Sequence, residues 1–197
     1  MKTLEFDFVV VGGGAAGCVL AARLAQDSQA SVALVERGRR DRNPWIHIPA
    51  TFFKAIQSRD VEAQTSEPDP SLENRPFVVP QGRVLGGGTS VNGMIYMRGQ
   101  ARDYDDWVDV FGCEGWGYAD VLPVFRRQER NTRLGDDPYH GASGPLVVDD
   151  PSEKHPVTQR IIDAAVDCGV PLSTDFNGAQ QDGVGWYQVT AHRGRRQ

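Results

Sequence analysis

An apolar run at residues 6–11 (FDFVVV) that stops at Gly12-Gly13-Gly14 constrains this chain more than any other feature. Such a run reads as a short, fully buried strand of the parallel type, because a strand covered on both faces needs no polar alternation. A helix is expected from about Gly14 to Asp27, with Ala16, Val19, Leu20 and Leu24 in apolar spacing. Residues 31–35 (SVALV) then read as a second buried strand, closed by Glu36. Strand, glycine turn, helix and strand within roughly 30 residues make a βαβ unit, whose right-handed crossover sets the strands parallel. The expected fold class is α/β.

Gly12-x-Gly14-x-x-Gly17 fits the dinucleotide fingerprint, and each glycine has its own physical task. Gly12 permits the tight turn out of the strand. Gly14 lets a pyrophosphate approach the backbone, and Gly17 lets the helix pack closely on the sheet. The helix N-terminus adds unpaired N–H groups and a partial positive charge. Glu36, at the end of the second strand, is placed to accept hydrogen bonds from an adenosine ribose. This motif alone does not separate FAD from NAD.

Regular periodicity fades after residue 37. Pro44, Pro49, Pro68, Pro70, Pro76 and Pro80 break the segment into short pieces, and a long irregular stretch inside a compact domain is usually functional. A second glycine loop follows, Gly82-Arg83-Val84-Leu85-Gly86-Gly87-Gly88-Thr89-Ser90-Val91-Asn92-Gly93. Beyond it, residues 118–130 read as a helix in which Pro123 is tolerable only near the first turn. Residues 146–148 read as a strand, and 156–168 as a helix opened by proline and stopped by Gly169.

Glycine supplies 22 of the 197 residues and is clustered, which marks close backbone approaches. The net charge of −5 argues against nucleic acid as a partner, and the terminal run Arg193-Gly194-Arg195-Arg196 is too short for a binding stripe. Cys18, Cys113 and Cys168 stand far apart in odd number, which suits reduced thiols in a cytoplasmic protein. No stretch approaches the ~20 apolar residues of a transmembrane segment, and the acidic N-terminus leaves no room for a signal peptide.

The run from Gly82 to Gly99, continuing Met94-Ile95-Tyr96-Met97-Arg98-Gly99 past the second loop, resembles the first signature of the glucose-methanol-choline (GMC) oxidoreductases. Asp103-Tyr104-Asp105-Asp106-Trp107, Gly115-Trp116-Gly117-Tyr118, Tyr139-His140-Gly141, Asp175-Phe176-Asn177-Gly178 and Gly183-Val184-Gly185 are similar to the choline dehydrogenase-like branch, so the resemblance spans the chain. It implies a Rossmann-like FAD-binding domain with a parallel sheet over residues 1–150. From 151 to 197 it implies the start of a mixed α+β substrate-binding domain, incomplete here. By resemblance Arg83 and Val84 lie near the FAD, Asn92, Gly93, Met94 and Ile95 lie beside its isoalloxazine, and Gly86 and Val91 count among the cofactor-binding residues. Some relatives attach FAD through a histidine just before the asparagine. Val91 stands there in this chain, which implies non-covalent FAD.

The activity implied is hydride transfer from a small-molecule alcohol to flavin N5, with a histidine base near the C-terminus of a much longer chain. His47, His140, His155 and His192 match no such motif, so no catalytic residue is named, and their spacing makes no metal cluster. His140 reads as a structural histidine in a turn. Trp107, Trp116 and Tyr118 read as packing residues, and Arg23 and Arg98 as solvated or ion-paired at least as readily as phosphate-bound. The chain is expected to be marginally stable and inactive alone, as the N-terminal part of an alcohol-oxidising enzyme. A second reading is a non-catalytic or split FAD module needing a complementary C-terminal half. A third, an NAD-dependent enzyme, leaves the second glycine loop without a role.

Overall fold

The computed structural model describes residues 3–27 and 29–197, which form an α/β chain of short elements. It divides into two compact units, one reaching to Gly93 and the other beginning at Met94. This division follows compactness. The boundary near residue 151 came from family resemblance and addresses a different property.

In the first unit, β1 (Phe8–Val11) pairs in parallel with β2 (Val32–Val35), joined by α1 (Ala15–Asp27). The register runs from Phe8 opposite Val32 to Val11 opposite Val35, so the βαβ expectation holds element by element. Its packing differs from the sequence reading. Gly17, Cys18, Ala21 and Leu24 are the partly buried positions of α1, whereas Val19 and Leu20 are exposed. Close approach explains the choice: a Cβ on Gly17 would stand 1.8 Å from the Gly12 carbonyl oxygen, so the helix lays its smallest residues on the sheet. In β1 only Val10 is buried, and Val11 is 82% exposed, because the strand has one partner and one covering helix among the described residues.

The segment read as irregular holds more structure than its prolines suggested. α2 (Pro44–His47) and α3 (Phe52–Ile56) precede an antiparallel pair, β3 (Val61–Thr65) with β4 (Val78–Gly82). Pro44 sits at the first position of α2, where a missing N–H costs nothing, and Asn43 caps that helix through the Trp45 N–H. Ile46, Ala55, Val84 and Val91 form the buried cluster of this unit, with Ile56 and Val61 packed against it. Burying each such side chain contributes about 1.5–3 kcal/mol for the larger aliphatics.

The second unit contains β5 (Ile95–Tyr96), α4 (Ala101–Asp109), α5 (Tyr118–Gln128), β6 (Glu129–Asn131), β7 (Leu146–Val148) and α6 (Pro156–Asp167). It ends in β8 (Gln188–Val189), β9 (Ala191–His192) and β10 (Arg195–Arg196). β6 and β7 are parallel, β5 pairs with β8 antiparallel, and β9 pairs with β10 antiparallel. α4 has no counterpart in the sequence reading. It is opened by a reciprocal cap, Gln100 and Asp103 each accepting from the other's backbone N–H. Pro123 lies in the middle of α5, past the first turn, so packing overrides the roughly 3 kcal/mol that an interior proline costs.

Candidate functional site

The two glycine loops meet. Gly12 turns at φ +96°, a conformation glycine adopts without steric cost, and its N–H bonds to the Val35 carbonyl at 2.8 Å. The Gly86 N–H then donates to the Gly13 carbonyl at 2.7 Å, joining the second loop to the first. A Cβ on Gly87 would lie 2.8 Å from the Gly14 Cα, and one on Gly82 would lie 2.2 Å from the Gly87 carbonyl oxygen. The glycines of the second loop are therefore what permit the docking. Gly14 itself, and Gly88 opposite, have open space where a side chain would project.

Glu36 ties the cradle together. One carboxylate oxygen accepts the Gly13 N–H at 2.6 Å and the other the Gly38 N–H, also at 2.6 Å. Each oxygen has two acceptor positions, so this carboxylate retains capacity for a further donor. No acidic side chain lies in the first turn of α1; the negative charge beside its positive end is the Glu36 carboxylate on the Gly13 N–H, two residues before the helix. The Cys18 thiol donates to the Gly13 carbonyl at 3.2 Å.

The remaining residues named from sequence divide by exposure. Val84 and Val91 are buried in the first unit's apolar cluster. Arg83, Asn92 and Gly93 are exposed; the Arg83 N–H bonds to the Asp60 carbonyl at 2.7 Å and the Asn92 N–H to that of Gly88 at 2.8 Å. In the second unit, Met94 is buried at φ +63°, its carbonyl accepting the Thr190 N–H at 2.8 Å, and Ile95 is half exposed opposite Val189. Gly13, Gly38 and Gly87 were missed as individual contributors. For Gly13 and Gly87 the signal lay in the glycine runs, but which member of a run makes the contact depends on the approach of distant chain; Gly38 stands alone between Arg37 and Arg39 and carried no such signal.

Gly12, Gly14 and the start of α1 thus form a backbone edge with open space that could receive a diphosphate, while Gly17 is closed against the Gly12 carbonyl and serves the packing of helix on strand. No group of three or more histidine, cysteine or acidic side chains is placed to hold a metal ion among the described residues.

The histidines have structural partners. His47 bonds to the Asp41 carbonyl, His155 accepts the Val157 N–H at the start of α6, and His192 meets Asp149 at 2.6 Å. His140 is fully buried, with Nδ1 3.0 Å from Glu129 and Nε2 3.0 Å from Asp175. Burial pushes its pKa down, but the hydrogen bonds to Asp175 and Glu129 and the carboxylate charges overcome this and raise it to about 9. Arg98 is buried in an ion pair with Glu129, and Asn131 bridges Glu129 and Gln188. Arg98 is thus held by carboxylate, not displayed to a phosphate, and Arg23 lies near Gln26. The Trp107 and Trp116 ring centroids lie 5.9 Å apart in a tilted contact, both side chains partly exposed.

Known proteins resemble this chain in sequence and fold. The GMC oxidoreductase profile matches residues 6–197. An oxygen-dependent choline dehydrogenase of Sinorhizobium fredii is 40% identical over 194 residues, covering 98% of this chain and 35% of that protein. The crystal structure of pyridoxine 4-oxidase from Mesorbium loti superposes with a TM-score of 0.90 at 34% identity, covering 98% of this chain and 38% of that one. An FAD-dependent oxidoreductase from Chaetomium thermophilum gives 0.84 at 30% identity, over 94% and 33%. The chain spans about a third of the length of the relatives it matches.

Proposed function

The chain belongs to the GMC oxidoreductase family, and on that premise we propose that it is the FAD-binding part of an oxidoreductase acting on CH–OH groups. The observation carrying the proposal is the docking of one glycine loop on the other, Gly86 N–H to Gly13 carbonyl, with open space at Gly14 and Gly88. A single dinucleotide fingerprint serves NAD or FAD alike; the docked second loop adds a backbone surface that a flavin can use and a minimal NAD site does not need.

Bound FAD supplies the hydride acceptor for an alcohol's carbon. What this chain contributes is binding and orientation. The N–H groups opening α1 hold the diphosphate, Gly14 allows its approach, and Glu36 adds an acceptor for the ribose hydroxyls. Arg83, Asn92, Gly93, Met94 and Ile95 are assigned to the flavin end, with Val84, Gly86 and Val91 contributing main chain. The apolar Val91 offers no nucleophile, so FAD is held without a covalent bond. No proton-transfer residue is assigned, since all four histidines have structural partners.

On this reading residues 1–150 belong to a Rossmann-like FAD domain and 151–197 open a substrate domain. A small alcohol is the substrate, a complementary C-terminal half completes the pocket, and the location is cytoplasmic. No helix among the described residues is long and apolar enough to cross a membrane. The test is the visible spectrum of the chain after mixing with FAD and desalting. Retained flavin bands support the assignment; a colourless protein that instead retains NAD overturns it.

A further inference from the structure

We propose that a cavity of about 930 Å³ in the first unit, bordered by Arg39, Arg40, Arg42, Arg59 and Trp45, binds a phosphate-bearing aromatic ligand of the nucleotide class. This goes beyond the flavin assignment and uses none of its residues.

The charge is uneven in a way the net value of −5 conceals: residues 37–59 hold six arginines and lysines against a single acid, Asp41. Asp41 does not border the cavity. Asp60 does, but it is buried and already accepts from Asn43 at 2.8 Å, with the Ser58 hydroxyl at 3.5 Å. The four guanidinium groups have no side-chain hydrogen bond or ion pair among the described residues. Four exposed cations converging on one concavity repel each other until an anion joins them, and the planar guanidinium suits phosphate oxygens in particular.

Trp45 supplies the second recognition element. It is 43% exposed on the cavity wall, and Lys54 Nζ stands 6.0 Å from its ring centroid. An exposed indole beside arginines offers a stacking surface to a base, which inorganic phosphate cannot use. The walls are also fixed. The Arg39 carbonyl accepts the Leu85 N–H at 2.8 Å and the Asp60 carbonyl accepts the Arg83 N–H at 2.7 Å, so the chain leaving β4 holds both sides of the cavity. The volume lies within the range of roughly 300–1,000 Å³ usual for ligand pockets.

The experiment uses the full chain at low ionic strength, with ADP and inorganic pyrophosphate as probes in equilibrium dialysis, with and without saturating FAD. Saturable ADP binding is expected in both conditions. It should weaken about tenfold or more in an Arg40→Ser, Arg42→Ser variant, as loss of charge-assisted contacts implies. Trp45→Ala should weaken ADP but leave pyrophosphate unchanged. Both arginines are exposed, so an unaltered urea midpoint serves as the folding control. No saturable ADP binding, binding displaced by FAD, or affinity indifferent to the arginine and tryptophan changes would each overturn the proposal. Arginine-dependent ADP binding in a chain that retains no FAD would support the pocket and count against the flavin assignment alone.

Discussion

Raising the pH from 6 to 10 should unlock the second unit through one side chain. Both ring nitrogens of His140 lie 3.0 Å from carboxylate oxygens, Glu129 on one side and Asp175 on the other. An ionised carboxylate only accepts, and a neutral imidazole has one donor, so the geometry requires the imidazolium. Its pKa stands at about 9 in the fold against an ordinary 6.5. A difference of roughly 2.5 pH units at 1.36 kcal/mol each gives about 3 kcal/mol. Because the folded value is the higher one, that contribution is fully present below about pH 6.5 and is lost as pH rises through about 9.

With an m-value of roughly 2 kcal/mol/M in urea, the midpoint should fall by about 1–2 M across that interval. In a Trp45→Phe background the remaining tryptophans, Trp107, Trp116 and Trp186, all belong to the second unit, so their fluorescence reports that unit alone. Tyr96 and Tyr118 are pushed up from 10, chiefly by burial, and titrate above the window. His140→Gln should be destabilised at pH 6 by about 3–5 kcal/mol, having removed the imidazolium that joins the buried Glu129 to the partly buried Asp175, and should show a much flatter pH profile. A midpoint constant from pH 6 to 9, or a histidine variant with the same slope as the parent, would refute the reasoning.

The other perturbations separate fold from binding. Gly14→Ala meets no atom within 4 Å and should leave stability within about 0.5 kcal/mol while weakening FAD retention about tenfold or more, measured by flavin release on dilution. Gly17→Ala drives a methyl to 1.8 Å from a backbone carbonyl and should cost about 3 kcal/mol in urea unfolding whether or not FAD is present. Glu36→Gln can accept only one of the two glycine N–H groups and should lose about 2 kcal/mol of stability before any cofactor is added. Acid precipitation of flavin-loaded protein should leave the colour in the supernatant; a yellow pellet would contradict the non-covalent assignment. Toward acid, Asp175, held low despite burial by its bond to His140, should cost stability as pH falls below about 4.

The βαβ unit was legible because its information is local. A run of valines, a glycine turn and a small-residue helix state their conformations within one stretch of chain, and β1, α1 and β2 appear where that stretch puts them. The outward face of α1 was misread for a related reason: apolar spacing ranks positions by hydrophobicity, whereas the 1.8 Å clearance at Gly17 selects the smallest residue to face the sheet. α4 escaped notice because its cap reads as ordinary polar sequence until Gln100 and Asp103 bond back to each other's backbone.

Non-local contacts decided the rest. Nothing in the order of residues says that Gly87 rather than Gly86 or Gly88 meets Gly14, or that Glu36 spends both oxygens on Gly13 and Gly38. Likewise the sequence marked His140 as a turn histidine but held no sign that Glu129 and Asp175, 11 and 35 residues away, would fix its charge. Conformational preference is written residue by residue along the chain, so the sequence by itself determined β1, α1, β2 and the glycine turn between them. Which oxygen faces which donor depends on the packing of segments far apart in sequence, and only the tertiary structure supplies it.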